Sequence, residues 1–138
     1  MVRPEVARKK IARAAAWIRD AGSLLSRPLD DYLADAKGRD LAAFYVFLAI
    51  QECIDLAAHW VADSGWSPPD DAASTFDVLA DRGVIDRALA DGMRAATGLR
   101  NRIAHGYALL DHRRLHSEAS RGVETLERFL RSMGGQSG

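Results

Sequence analysis

Apolar residues recur at intervals of three and four along nearly the whole chain. Ala7, Ile11, Ala14, Ile18, Ala21 and Leu25 form the first such stripe, and positions spaced this way share one face of a helix. The spacing predicts a first helix over about residues 4–26, with Pro4 tolerated in its first turn. Ser26-Arg27-Pro28 ends it, and the segment from Leu29 to Leu33 suits a short turn of helix. A second helix is expected from about Asp40 to Asp63. Its Leu41, Phe44, Leu48 and Leu56 lie near one face, and Phe47, Ile50, Ile54 and Val61 near another. A helix apolar on two sides is central in a bundle, or packs against another chain as well.

The stretch SGWSPPDD, residues 64–71, breaks that helix. A shorter third helix is expected over about 71–81 and a fourth over about 86–104, with Asp86 as its N-cap. Leu89, Met93, Ala96 and Ile103 form the stripe of the fourth. The fifth, over about 112–132, carries Leu115, Ala119, Val123, Leu126, Phe129 and Leu130. No stretch alternates convincingly with period two. The expected fold is therefore all-α, an up-and-down bundle of four to five main helices. Residues 1–133 read as one domain, and the terminal GGQSG, residues 134–138, as a disordered tail.

A length of 138 residues agrees with a single domain. The lone Cys53 excludes an intrachain disulfide and suits a reducing compartment. Its apolar helical setting marks a small buried hydrophobe rather than a reactive thiol. The charged start MVRPEVARKK has no apolar segment behind it, so no secretory signal is expected. The longest apolar run, LAAFYVFLAI at 41–50, falls short of the roughly 20 residues that span a bilayer. A soluble cytoplasmic protein with no membrane attachment is the expectation.

The net charge of zero hides an asymmetry. Residues 1–29 carry seven Lys/Arg against two acids, and residues 30–91 carry four against thirteen. Residues 92–116 carry five arginines against Asp111 alone, with His105, His112 and His116. Basic surface favours phosphate or nucleic acid, and acidic surface a basic partner. Solvated helix faces account for such runs equally well.

The chemistry concentrates in GLRNRIAHGY, residues 98–107. Arg100 follows Ala96 by four and precedes Ile103 by three, so it interrupts an apolar stripe. A core-facing arginine is costly unless it meets acceptors, whereas a cleft uses one to grip phosphate. Arg102 lies about 200° further round and faces water or a partner. His105 stands about 140° from Arg100 on an ideal helix. Gly106 can stop the helix in a left-handed conformation, which would let His105 and Tyr107 swing back beside Arg100. Arginine plus histidine suffices to cleave RNA without a metal. Histidine takes the proton of the ribose 2′-OH, and arginine stabilises charge on the phosphate. A helix C-terminus favours arginine and histidine whatever the function.

Arg100, four residues, His105, Gly106 and Tyr107 resemble the R-x4-H-x-Y motif of the HepT toxins, within the HEPN superfamily of helical ribonucleases. Asn101 is the polar residue commonly seen after that arginine. ECIDLAAHWVADSGWSPPDD, then FDVLADRGVID, then GLRNRIAHGY also follow the family's order of segments, over about residues 40–130. The resemblance implies a homodimer whose two motifs meet in a shared cleft. It implies a partner, the nucleotidyltransferase antitoxin MntA, which adds AMP to the motif tyrosine. Arg100 and His105 would be the catalytic pair, and Tyr107 the AMP acceptor and a substrate contact. The expectation is a metal-independent endoribonuclease toxin acting on RNA, with no cofactor.

Other features are less specific. Gln51, Asp55 and His59 form a polar line on the second helix, and buried polar groups need partners. Asp55 or Gln51 is expected near the cleft, orienting Arg100 or His105; a solvated helix edge is the alternative. Arg102 is expected to act only as a helper. His112 and His116 have i, i+4 spacing, but nothing nearby completes a metal site. Trp17 and Trp60 suit a core or interface, and Trp66 a loop contact. The acidic segment 70–91 is a candidate dock for the antitoxin. A non-catalytic helical module, serving as partner and AMP acceptor of a nucleotidyltransferase, is the alternative function. A purely structural helical dimer is a third.

Overall fold

The computed structural model describes residues 3–137, with side chains described as far as Gly135. Among the described residues six α-helices follow in order: α1 Pro4–Leu25, α2 Leu29–Ala34, α3 Ala36–Asp63, α4 Ala72–Asp81, α5 Arg87–Gly106 and α6 His112–Ser137. A single 3-10 turn, Tyr107–Leu109, links the last two. No strand occurs among the described residues. The expected all-α bundle is what forms, with α1, α3, α5 and α6 as its long helices.

Side-chain caps set most helix starts, because the first backbone N–H groups of a helix have no partner within it. The Asp71 carboxylate accepts from Ser74 N at 2.8 Å, and Asp86 from Leu89 N at 2.7 Å. Asp111 accepts from the N–H groups of Arg113 and Arg114. Asp35 accepts from Gly38 N at 3.0 Å and binds Arg27 at 2.9 Å. This cap starts α3 at Ala36 rather than at the expected Asp40. Gly65 and Gly83 end α3 and α4 with φ of 74° and 75°, the left-handed conformation that glycine adopts without strain.

α3 is the central helix and packs against α1, α4, α5 and α6. By length and composition alone it could cross a membrane, yet half of its most apolar window is buried inside the bundle. Leu56, Leu79, Met93, Leu126, Phe129 and Met133 fill the core. Phe76 meets Phe129 edge to face at 5.4 Å, a favoured aromatic geometry. Cys53 is fully buried, and burial pushes its thiol well above the usual range. Trp60 is core, Trp17 stacks on Tyr45, and Arg82 lies over Trp66. A Cβ on Gly92 would stand 2.8 Å from a Thr125 methyl, so glycine lets α5 approach α6 closely.

The segment expected to be a disordered tail differs. α6 continues through it to Ser137; Gly138 lies outside the described residues. Met133 is buried, and Gly134 faces the Ile11 side chain on α1, so the last turns still have a surface to pack on.

Candidate active site

α5 carries the motif. Its apolar side, Leu89, Met93, Ala96, Leu99 and Ile103, is buried, which fixes where the intervening polar residues project. Arg100 is half-buried and turned toward α3. Its Nη1 donates to Gln51 Oε1 at 2.6 Å. Its Nε and Nη2 donate to Asn101 Oδ1 at 3.1 and 2.7 Å. Gln51 Nε2 in turn donates to Asp55 Oδ1 at 3.0 Å. Arg100, Gln51 and Asp55 thus form one chain of hydrogen bonds between α5 and α3.

Among the described residues no carboxylate lies within ion-pair distance of Arg100. Its immediate acceptors are neutral amides. The guanidinium has five N–H groups, and three are used. The positive charge and two donors remain for an anion, and a planar fork of this kind matches phosphate. Arg102 behaves differently: it pairs with Glu118, which also receives Arg114.

His105 does not join Arg100. α5 ends at Gly106 as expected, but with a φ of −142° that is not left-handed, and it includes His105, just beyond the expected helix over 86–104. The two side chains keep the roughly 140° divergence of helical positions five apart. His105 instead lines a groove of about 480 Å³ between α5 and α6, with Asn101, Arg102, Leu109, Arg114 and Glu118. Asn101 touches both regions, as hydrogen-bond acceptor of Arg100 and as a wall of the His105 groove.

Tyr107 opens the 3-10 turn beyond α5 and is 36% exposed. Its hydroxyl donates to Asp40 Oδ1 on α3, and its ring meets His112 edge-on at 6.0 Å. Burial, and then the bond to Asp40, push the phenol up to about 12. Asp40 was not singled out in the sequence, where it is one more acid on an acidic stretch. His116 packs on Tyr32 and reaches the carbonyl of Leu25, so it and His112 serve different neighbours.

Leu41 and Phe44 on α3 are 46% and 53% exposed. With half-buried Leu48 they lie on the same face as Gln51 and Asp55, at helical spacing. The face that holds Arg100 therefore continues into an uncovered apolar strip. In the acidic segment, Asp77 is held by Arg87 and Arg94 of α5, which neutralises part of its charge internally.

Residues 14–133 match the model of a family described as HepT-like, ribonuclease HepT-like. A provisionally named RNase of Archaeoglobus fulgidus is 33% identical over 88 residues, 63% of this chain and 66% of the relative. Among solved structures, a toxin–antitoxin with AMP-PNP superimposes with a TM-score of 0.87 at 21% identity, over 95% of this chain and 98% of the other. A tri-AMPylated HEPN toxin of Shewanella oneidensis, in complex with MNT antitoxin, gives 0.86 at 22% identity, over 94% and 97%. YutE of Bacillus subtilis, a cytosolic protein of unknown function, gives 0.77 at 16%, over 94% and 89%. At these identities the structural likenesses establish the shared fold.

Proposed function

Because the chain belongs to the family of HepT-like ribonucleases, we propose that it is the toxin of a toxin–antitoxin pair, a metal-independent endoribonuclease silenced by AMPylation of Tyr107. The observation that carries this reading is Arg100: a half-buried guanidinium held by neutral amides, with its charge uncompensated by any described carboxylate. Such a group gains most when a phosphate arrives. In this reaction His105 takes the 2′-OH proton, the 2′-oxygen bonds to the adjacent phosphorus and the phosphorus–O5′ bond breaks, leaving a 2′,3′-cyclic phosphate and a 5′-hydroxyl that takes its proton from water, while Arg100 stabilises charge on the phosphate oxygens. Asn101 and Gln51 hold Arg100 in place, Asp55 orients Gln51, and Arg102 assists at the groove.

One chain does not bring Arg100 and His105 to the same pocket. A homodimer through the Leu41–Phe44–Leu48 strip would cover apolar surface and set two α5 motifs beside each other, so that the arginine of one copy serves the histidine of the other. Tyr107 stands at the rim of the motif and is 36% exposed. An AMP group there would place negative charge and bulk where RNA must enter. The nucleotidyltransferase antitoxin that complexes with the similar Shewanella toxin supplies the model for the partner. Cleavage of RNA by purified unmodified protein in EDTA tests the catalytic reading, and its loss after AMPylation tests the silencing.

The second reading is a non-catalytic binding module that serves as AMP acceptor. It is favoured by the separation of Arg100 and His105 within one chain. It predicts that Arg100→Ala leaves growth inhibition unaltered.

A further inference from the structure

A tyrosine hydroxyl that accepts a nucleotidyl group needs a place to send its proton. Tyr107 is held at three points. Its backbone carbonyl accepts from Leu110 N at 3.1 Å in the 3-10 turn. Its ring rests against the edge of His112. Its hydroxyl donates to Asp40 Oδ1, on the second turn of α3 and 67 residues away in sequence. The charged and titratable groups around it are Asp40 and Arg39 from α3, Tyr32 from α2 and His112 from α6.

Only one of these accepts the phenolic proton. Tyr32 is buried to 1% exposure, and its own hydroxyl has no partner among the described residues. His112 meets Tyr107 through its ring, and its Nδ1 is buried without a partner. Arg39 ties one Nη to the Leu33 carbonyl at 2.9 Å, and its positive charge favours the ionised phenol. At neutral pH the Tyr107 phenol keeps its proton, being pushed up to about 12. Attack on phosphorus therefore requires that the proton leave as the new bond forms, as when a carboxylate takes the proton of a kinase's substrate hydroxyl.

We propose that Asp40 is the catalytic base for nucleotidylation of Tyr107, contributed by the acceptor protein itself. This deepens the reading of Tyr107 as AMP acceptor and rests on it. The Tyr107 oxygen attacks the α-phosphorus of a nucleoside triphosphate held by the partner enzyme. The oxygen–phosphorus bond forms, the bond to pyrophosphate breaks, and the phenolic proton passes to Asp40 and then to water. Arg39 offsets the negative charge that develops on the phenolic oxygen. The toxin thus carries half of the machinery for its own silencing.

The test is the initial rate of AMP incorporation, read by intact mass, with the cognate nucleotidyltransferase, ATP and Mg²⁺, from neutral to alkaline pH. Wild type, Asp40→Asn, Asp40→Glu and Tyr107→Phe are compared. At neutral pH Asp40→Asn should be slower by about 100-fold, and its deficit should narrow by about ten-fold per pH unit as the phenol ionises without help. Asp40→Glu should recover part of the rate, and Tyr107→Phe should take no AMP. An Asp40→Asn rate equal to wild type, or a deficit constant at every pH, overturns the inference while leaving the acceptor role intact. A wild-type chain that takes no AMP overturns the acceptor reading itself.

Discussion

Arg100 on α5 donates to the Gln51 side chain on α3 at 2.6 Å, across 49 positions of sequence. Gln51 can present its oxygen to Arg100 because its nitrogen is engaged by Asp55 at 3.0 Å. A neutral acceptor holds the guanidinium without neutralising it. Gln51→Glu converts that acceptor into a counter-ion and should lower kcat/KM for RNA at least about ten-fold, or ~1.4 kcal/mol, with little change in thermal midpoint. Asp55→Asn keeps the volume but frees the Gln51 amide to turn, and a smaller loss is expected. Cleavage kinetics on a short fluorogenic RNA, beside thermal unfolding of each variant, measure both.

Phe44 and Leu41 are the largest apolar groups left uncovered on α3. If this strip pairs two copies, Phe44→Glu should give a monomer with unchanged helicity and should abolish RNA cleavage together with dimerisation. Sedimentation velocity and circular dichroism on the same samples decide it. A monomeric variant that cleaves RNA at the wild-type rate would rule out a site shared between copies.

The Tyr107 phenol should titrate near 12 by ultraviolet difference spectroscopy, and Asp40→Asn should move it down toward the ordinary value of 10.0. The linkage has a definite sign. A folded-state pKa above the unfolded one gives stability that is complete below pH 10.0 and is lost as pH rises toward about 12. Tyr107→Phe removes that contribution, so its unfolding midpoint should fall less steeply over this interval.

Phe129 is fully buried and meets Phe76 edge-on. Phe129→Ala should destabilise the bundle by about 3–5 kcal/mol through lost burial and the cavity left behind. Urea unfolding checks it, with the m-value showing whether the transition stays two-state.

Much of this fold was legible because apolar stripes and caps are local signals. Asp86 caps α5 as its sequence suggested, and the two-sided apolar pattern of the second helix marked the central α3. The polar line of Gln51 and Asp55 pointed to a partner, and Arg100 meets it. What was not legible depended on tertiary choice. Glycine tolerates both left-handed and other backbone conformations, so Gly106 marked the end of α5 but could not announce that the chain would leave it without a left-handed turn, with His105 still helical and apart from Arg100. The Tyr107–Asp40 bond spans 67 residues and leaves no local pattern. Gly134 and Gly135 looked like a tail, but their helix is held by packing of the preceding turn on α1.

In the proposed function Arg100 and His105 cleave RNA without a metal. The most direct measurement is cleavage of a defined RNA by purified, unmodified protein in excess EDTA, for wild type, Arg100→Ala and His105→Ala, each shown to be folded. Wild type should cleave, and both variants should lose about 100-fold or more. Absence of cleavage in wild type, or its survival in His105→Ala, would contradict this function.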